Sequence, residues 1–131
     1  MERYKLHKKI KFIQHCKEMP LAYSLSDVVV SASIEPEAFG RISVEAQSMG
    51  KPIIASNIGG SKETIINKKT GLLYRHDDPR ELAKCLNVVI QLSPDELKSM
   101  GNEGRKNVTK KFDVETMCQS NLKEYKRLIK N

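Results

Sequence analysis

Two carboxylates, Glu37 and Glu45, stand eight positions apart around a Phe39-Gly40 step in residues 31–50, SASIEPEAFGRISVEAQSMG. An ionised carboxylate has two acceptor oxygens, so such a group suits hydrogen bonds to hydroxyl pairs. The amides of Phe39, Gly40 and Arg41 fall at a helix start, where they lack helical acceptors and can serve an anion or hydroxyls. Gly40 has no side chain and lets a ligand come close to the backbone. Arg41 has two readings, a residue that approaches a phosphate or a solvated helix residue. Around the helix, the two glutamates are offset by about 80°, and Glu45 lies about 60° from Ile42, at the border of the apolar stripe. A plainer reading also exists: the helix dipole favours Glu near an N-terminus, and Glu is a good helix former. Spacing alone does not choose between them.

The elements around this run read as a parallel α/β sheet flanked by helices, because short apolar runs alternate with helical patterns. A first strand is expected at residues 10–13, then a short helix from Pro20 to Ser26. The run 27–31 (DVVVS) reads as a buried parallel strand, apolar on both faces. A loop at 33–39 leads into a helix over 40–49, with Ile42, Ala46 and Met49 facing the sheet. Gly50 ends that helix in a left-handed conformation before Pro52 and the strand 52–56 (PIIAS). Gly59 and Gly60 make a turn, and Ser61 is expected to cap a helix to about Asn67. A short strand follows at 70–74 (TGLLY). Helices then start at Asp78-Pro79-Arg80-Glu81 and Ser93-Pro94-Asp95-Glu96, each with a cap, a proline and a glutamate in order. The last helix runs from Asp113 to about Ile129, with Met117, Leu122, Tyr125 and Ile129 along one side. In open parallel sheets ligands bind beyond the carboxyl ends of the strands, which is where the 33–39 loop falls.

A length of 131 residues suits one domain. No apolar run approaches the roughly 20 residues needed to span a bilayer, and the N-terminus lacks the apolar stretch of a signal peptide. A soluble, cytoplasmic protein is the expectation. Cys16, Cys85 and Cys118 form no C-x-x-C pair, and the histidines His7, His15 and His76 complete no metal pattern, so neither a disulfide nor a bound metal is expected. Net charge is +7, with basic residues clustered at 5–11, at Lys68 and Lys69, at 105–111 and at 123–130. Such charge can serve nucleic acid, an anionic membrane or a phosphorylated ligand. With no Trp and 5% aromatic residues there is little for bases to stack on. Solvated lysines on helix faces account for most of the excess.

The longer string EPEAFGRISVEAQSMGKPIIASNIGGSKETI resembles the donor-binding signature of glycosyltransferase family 4, retaining enzymes built from two facing Rossmann-like domains (the GT-B fold). The matching positions are Glu37, Phe39-Gly40, Glu45-Ala46, Gly50-Lys51-Pro52-Ile53-Ile54-Ala55, Gly59-Gly60, Glu63 and Gly71-Leu72-Leu73. The flanking DVVVSAS and DDPRELAKCL fit as well, and the resemblance runs essentially from Ile10 to Ile129.

The resemblance implies that Glu37, the catalytic candidate, contacts hydroxyls of the donor sugar together with the Phe39 and Gly40 backbone. It implies that Glu45 holds the ribose of the nucleotide. Glu63 is a weaker candidate that serves the helix dipole equally well, and Gly59 and Gly60 permit a turn more readily than they bind. The family transfers sugar with retention and without a bound metal, so basic side chains and amides offset charge on the leaving diphosphate. In that family the phosphate-contacting Arg and Lys come from earlier in the domain, and the acceptor site comes from a whole N-terminal domain. The chain thus resembles a partial C-terminal, nucleotide-sugar-binding domain, truncated at its N-terminus, with a gap between the 10–13 strand and the others.

The expected partners are a nucleotide-sugar donor, a glycan or lipid-linked acceptor in polysaccharide or lipopolysaccharide assembly, a peripheral membrane surface and a separately encoded N-terminal portion. Nucleic acid is not expected. Two other readings stay open. One is a noncatalytic nucleotide-sugar-binding remnant of a split or decayed gene. The other is a basic module for nucleic acid or anionic membranes, whose retention would depend on salt and ignore Glu37→Ala.

Overall fold

The computed structural model describes residue 6 and residues 8–129. Lys5, His7 and Lys130, which belong to the basic clusters and the histidine set above, lie outside them. The element order is α1 (Met19–Ser24), β1 (Val29–Ser31), α2 (Arg41–Ser48), β2 (Ile53–Ser56), α3 (Ser61–Thr64), β3 (Gly71–Tyr74), α4 (Pro79–Gln91), α5 (Pro94–Lys111) and α6 (Val114–Ile129). The strands form a parallel three-stranded sheet in the order β1-β2-β3, with Val30 opposite Ile54 and Ile54 opposite Leu72. This is the α/β fold with helices flanking a parallel sheet that the alternating pattern predicts.

The central strand organises the core. Every residue of β2 is buried, and alternation sends Ile53 and Ala55 to one face and Ile54 to the other. Ile53 and Ala55 pack with Tyr23, Ala46 and Ile65, so α1 and α2 cover that face. Ile54 packs with Leu72, Tyr74 and Val89, backed by Leu82, Cys85 and Leu86 of α4 and Leu97 of α5. Among the described residues, no helix is long and apolar enough to cross a membrane.

Several sequence expectations are corrected. Residues 10–13 form no strand, and Phe12 and Ile13 are largely exposed. A strand needs a neighbour for its backbone groups, and this segment has none within the three-stranded sheet. Of the run 27–31 only Val29–Ser31 form a strand, and it is an edge strand rather than a buried one, with Val30 41% exposed. On α2 the buried residues are Ser43, Ala46 and Gln47, whereas Ile42 and Met49 face outward. Polar groups can occupy that stripe because they are paired. Gln47 Nε2 donates to the carbonyls of Ser43 (3.0 Å) and Thr64 (2.9 Å), and Asn107 Nδ2 donates to the Thr64 carbonyl (3.0 Å). Ser61 does not cap a helix; it is the first residue of α3, which is capped by Gly60 and ends at Thr64. The helix after Asp113 forms as expected, but none of its residues is buried and its apolar side is open.

The caps of α4 and α5 follow the sequence grammar. The Asp78 carboxylate accepts from the Arg80 and Glu81 amides, and its hydrogen bond with Arg75 holds its pKa below the usual carboxylate value. Ser93 and Glu96 form a reciprocal capping box. Replacing Ser93 by Ala removes an acceptor for the Glu96 amide and should cost about 1 kcal/mol. A fall in melting temperature of about 3–5 °C is the expected reading, and an unchanged melt would show that the cap is dispensable.

Candidate functional site

The site is built where the loops leaving β1 and β2 meet, at the carboxyl ends of both strands. Residues 32–40 leave β1, and Asn57–Gly60 leave β2. They are clamped by the Gly60 amide donating to the Glu37 carbonyl at 2.8 Å. Close approach requires glycine here, since a Cβ on Gly60 would overlap the Phe39 backbone. Gly40 is needed chiefly for conformation. It adopts φ +73° as the residue preceding α2, a left-handed geometry that L side chains rarely adopt. Pro36, Glu37, Ala38, Gly59, Gly60, Lys62 and Glu63 line an open cleft of about 630 Å³ between the two loops.

Glu37 is half-buried in the loop, and one of its carboxylate oxygens accepts from the Ser33 hydroxyl. The other oxygen is left for a ligand. Glu63 is exposed at the rim of the same cleft, beside Lys62. Phe39 offers its backbone rather than its ring, because the ring stacks edge to face on Phe112 with centroids 5.7 Å apart. The amides of Phe39, Gly40 and Arg41 have no backbone acceptor among the described residues, and Gly40 itself is buried.

Glu45 sits one turn into α2. Its Oε1 accepts from Arg41 Nη2 at 3.2 Å, and its Oε2 accepts from the Tyr23 hydroxyl at 2.8 Å. Arg41 is 84% exposed, so this i,i+4 pair is worth only about 0.3–0.5 kcal/mol and the guanidinium can swing to a phosphate. Tyr23 is different: its ring is buried in the core, and its pKa is pushed up to about 12, first by burial and then by the hydrogen bond to Glu45. The phenol therefore stays a neutral donor across the whole physiological range. Two carboxylates with open acceptor sites, helix-start amides and an exposed guanidinium are groups that can hold hydroxyls and an anion.

Ser33 and Tyr23 are the polar partners that spacing did not reveal. Ser33 lies four residues before Glu37 and could have been found as a local pair. Tyr23 lies 22 positions from Glu45, and no local pattern connects them.

Comparison with known proteins gives a consistent result. The family described as "Glycosyl transferases group 1" matches residues 1–107. Spore coat protein SA of Bacillus subtilis is 30% identical over 121 residues, which cover 90% of this chain and 32% of that protein. A crystal structure of a glycosyltransferase from Rickettsia africae is 37% identical, with a TM-score of 0.91, over 99% of this chain and 35% of that one. Anabaena HepE, solved in complex with UDP and glucose, is 28% identical with a TM-score of 0.88, over 96% of this chain and 34% of its own. The chain thus spans about a third of the length of the relatives it matches.

Proposed function

Because this chain belongs to the glycosyl transferases group 1 family, we propose that it is the donor-binding part of a retaining family 4 glycosyltransferase that takes a nucleotide sugar. In this reading Glu45 accepts hydrogen bonds from the ribose hydroxyls, and Glu37 accepts from hydroxyls of the transferred sugar. The Phe39, Gly40 and Arg41 amides and the Arg41 guanidinium face the diphosphate. They offset the charge that grows on it as the glycosidic bond breaks, without a resident metal. The observation that carries the reading is the Glu37–Gly60 clamp, which sets Glu37 in an open cleft at the carboxyl edge of the sheet. The ligands named for Anabaena HepE, UDP and glucose, support the donor class.

The exposed apolar side of α6 supports a partial domain that works against further polypeptide carrying the acceptor site. The acceptor would be a glycan or lipid-linked glycan. The basic surface suits a protein at the cytoplasmic membrane face. The open apolar side of α6 equally favours the second reading, a noncatalytic nucleotide-sugar binder.

Titration with UDP-glucose and with GDP-mannose, followed by amide NMR shifts, tests the donor site. Shifts at Phe39–Arg41, Gly60 and Glu45 are expected with at least one of the two. If neither sugar nucleotide moves these amides at millimolar concentration, the donor-site reading is wrong. Hydrolysis or transfer of the bound donor separates the enzyme from the noncatalytic binder.

A further inference from the structure

Tyr23 is a buried, titratable residue to which the donor-site reading gives no task. Its ring fills the core beside Ala46, Ile53, Ala55 and Ile65 and is 5% exposed. A phenylalanine would fill the same space. The hydroxyl therefore has no packing role, and it lies 2.8 Å from Glu45 Oε2.

The two groups holding Glu45 differ in what they can fix. Arg41 belongs to the same helix and is 84% exposed, so it moves with solvent. Tyr23 comes from α1, a separate element rooted in the core. The end of α1 is tied to the turn before β2, because Lys51 Nζ donates to the Ser24 carbonyl at 2.9 Å. Glu45 itself is half-buried, with its side chain 36% exposed. A glutamate with that much freedom samples several rotamers unless something stops it.

We infer that Tyr23 is a positioning residue for Glu45, its phenol fixing one carboxylate oxygen so that the remaining acceptor sites meet the vicinal hydroxyls of the donor ribose. The inference rests on the donor-site reading above. An ionised carboxylate has about four lone-pair sites. The phenol takes one, which leaves enough for both hydroxyls of a cis-diol, so positioning does not compete with binding. Displacing the exposed Arg41 frees another. Because the phenol is pinned before the ligand arrives, the rotamer cost of ordering Glu45 is met in folding rather than in binding. Removing the phenol should return that cost to the binding step, a loss of about two- to tenfold in affinity.

The test is titration of the full chain with UDP and with 2′,3′-dideoxy-UDP, which lacks both ribose hydroxyls. The unaltered chain, Tyr23→Phe, Glu45→Gln and the double variant are compared, with thermal melts as a check on folding. Tyr23→Phe should weaken UDP by about two- to tenfold, leave dideoxy-UDP unchanged and have no further effect once Glu45 is Gln. Equal weakening of both nucleotides, or the same loss with and without Glu45, would assign Tyr23 to the fold alone and overturn the inference. So would unchanged UDP affinity in Tyr23→Phe. Should that variant not fold, Glu45→Asp, which withdraws the carboxylate from the phenol by one methylene, must lower the preference for UDP over dideoxy-UDP; an unchanged preference overturns the inference. If the unaltered chain binds UDP but Tyr23→Phe has no selective effect, only the positioning role fails. If the unaltered chain does not bind UDP, the donor-site reading fails for this nucleotide and the inference falls with it.

Discussion

Gly101→Ala is expected to destabilise the chain by about 3 kcal/mol, although alanine is the better helix former by about 1 kcal/mol. Gly101 is buried in the middle of α5, and a Cβ there would overlap the Gly50 carbonyl oxygen and lie 2.7 Å from its carbon. That carbonyl cannot retreat. Gly50, at φ +67°, is the left-handed residue closing α2. Its amide donates to the Gln47 carbonyl at 2.9 Å, while the Lys51 amide donates to Ala46 at 2.9 Å, the paired bonds of a Schellman turn. The same turn delivers the chain into β2, the central strand. The added methyl group must therefore push α5 away from α2. That movement loosens the contact of Gly104 with Gln47 and the hydrogen bonds of Asn107. Urea unfolding should show a lower midpoint for Gly101→Ala, while Asn102→Ala, on the exposed side of the same helix, should leave it nearly unchanged. An equal or higher midpoint for Gly101→Ala would mean that the two helices are not in close contact.

The same packing explains what the sequence could and could not reveal. β2, the Gly50 turn and the caps at Asp78 and Ser93 are written in short runs whose meaning is local, and they were legible. The buried stripe of α2 was not, because it consists of Ser43, Ala46 and Gln47 and is apolar only at its centre. Its partner surface on α5 is built from Gly101, Gly104 and Asn107. Neither half makes an apolar pattern by itself. Only together do they form a close, hydrogen-bonded contact. β1 illustrates a related point: three consecutive valines look buried wherever they occur, and whether a strand is central or at an edge depends on its neighbours. At the candidate site, the loop after β1 and the glycine turn facing it are written locally, whereas the roles given to the two glutamates rest on the family resemblance. The polar residue that orients Glu45 was not legible, since a tyrosine hydroxyl reaching across 22 positions leaves no periodic trace.

The two glutamates should then separate cleanly by the part of the donor each one holds. Glu45→Ala is expected to weaken UDP and UDP-glucose alike by about 10- to 100-fold, since it removes hydrogen bonds to a charged group worth about 1.5–3 kcal/mol. Glu37→Ala should weaken UDP-glucose by a comparable factor and leave UDP nearly unchanged, because Glu37 lines the cleft with Gly59, Gly60 and Glu63, whereas Glu45 is not among the residues lining it. Fold stability should change little in either case. Glu45 loses an exposed ion pair with Arg41 and a phenol contact, and Glu37 keeps its backbone clamp to Gly60. The decisive quantity is the ratio of the two affinities in each variant, measured by titration under one set of conditions. A Glu37→Ala variant that loses UDP as strongly as UDP-glucose, beside a Glu45→Ala variant that loses UDP-glucose alone, would place the nucleotide, not the sugar, in the cleft. The assignments of the two carboxylates would then have to be exchanged. If both ratios stay at the unaltered value, the two carboxylates act as one electrostatic patch, and the offset between them has no bearing on how the donor is read.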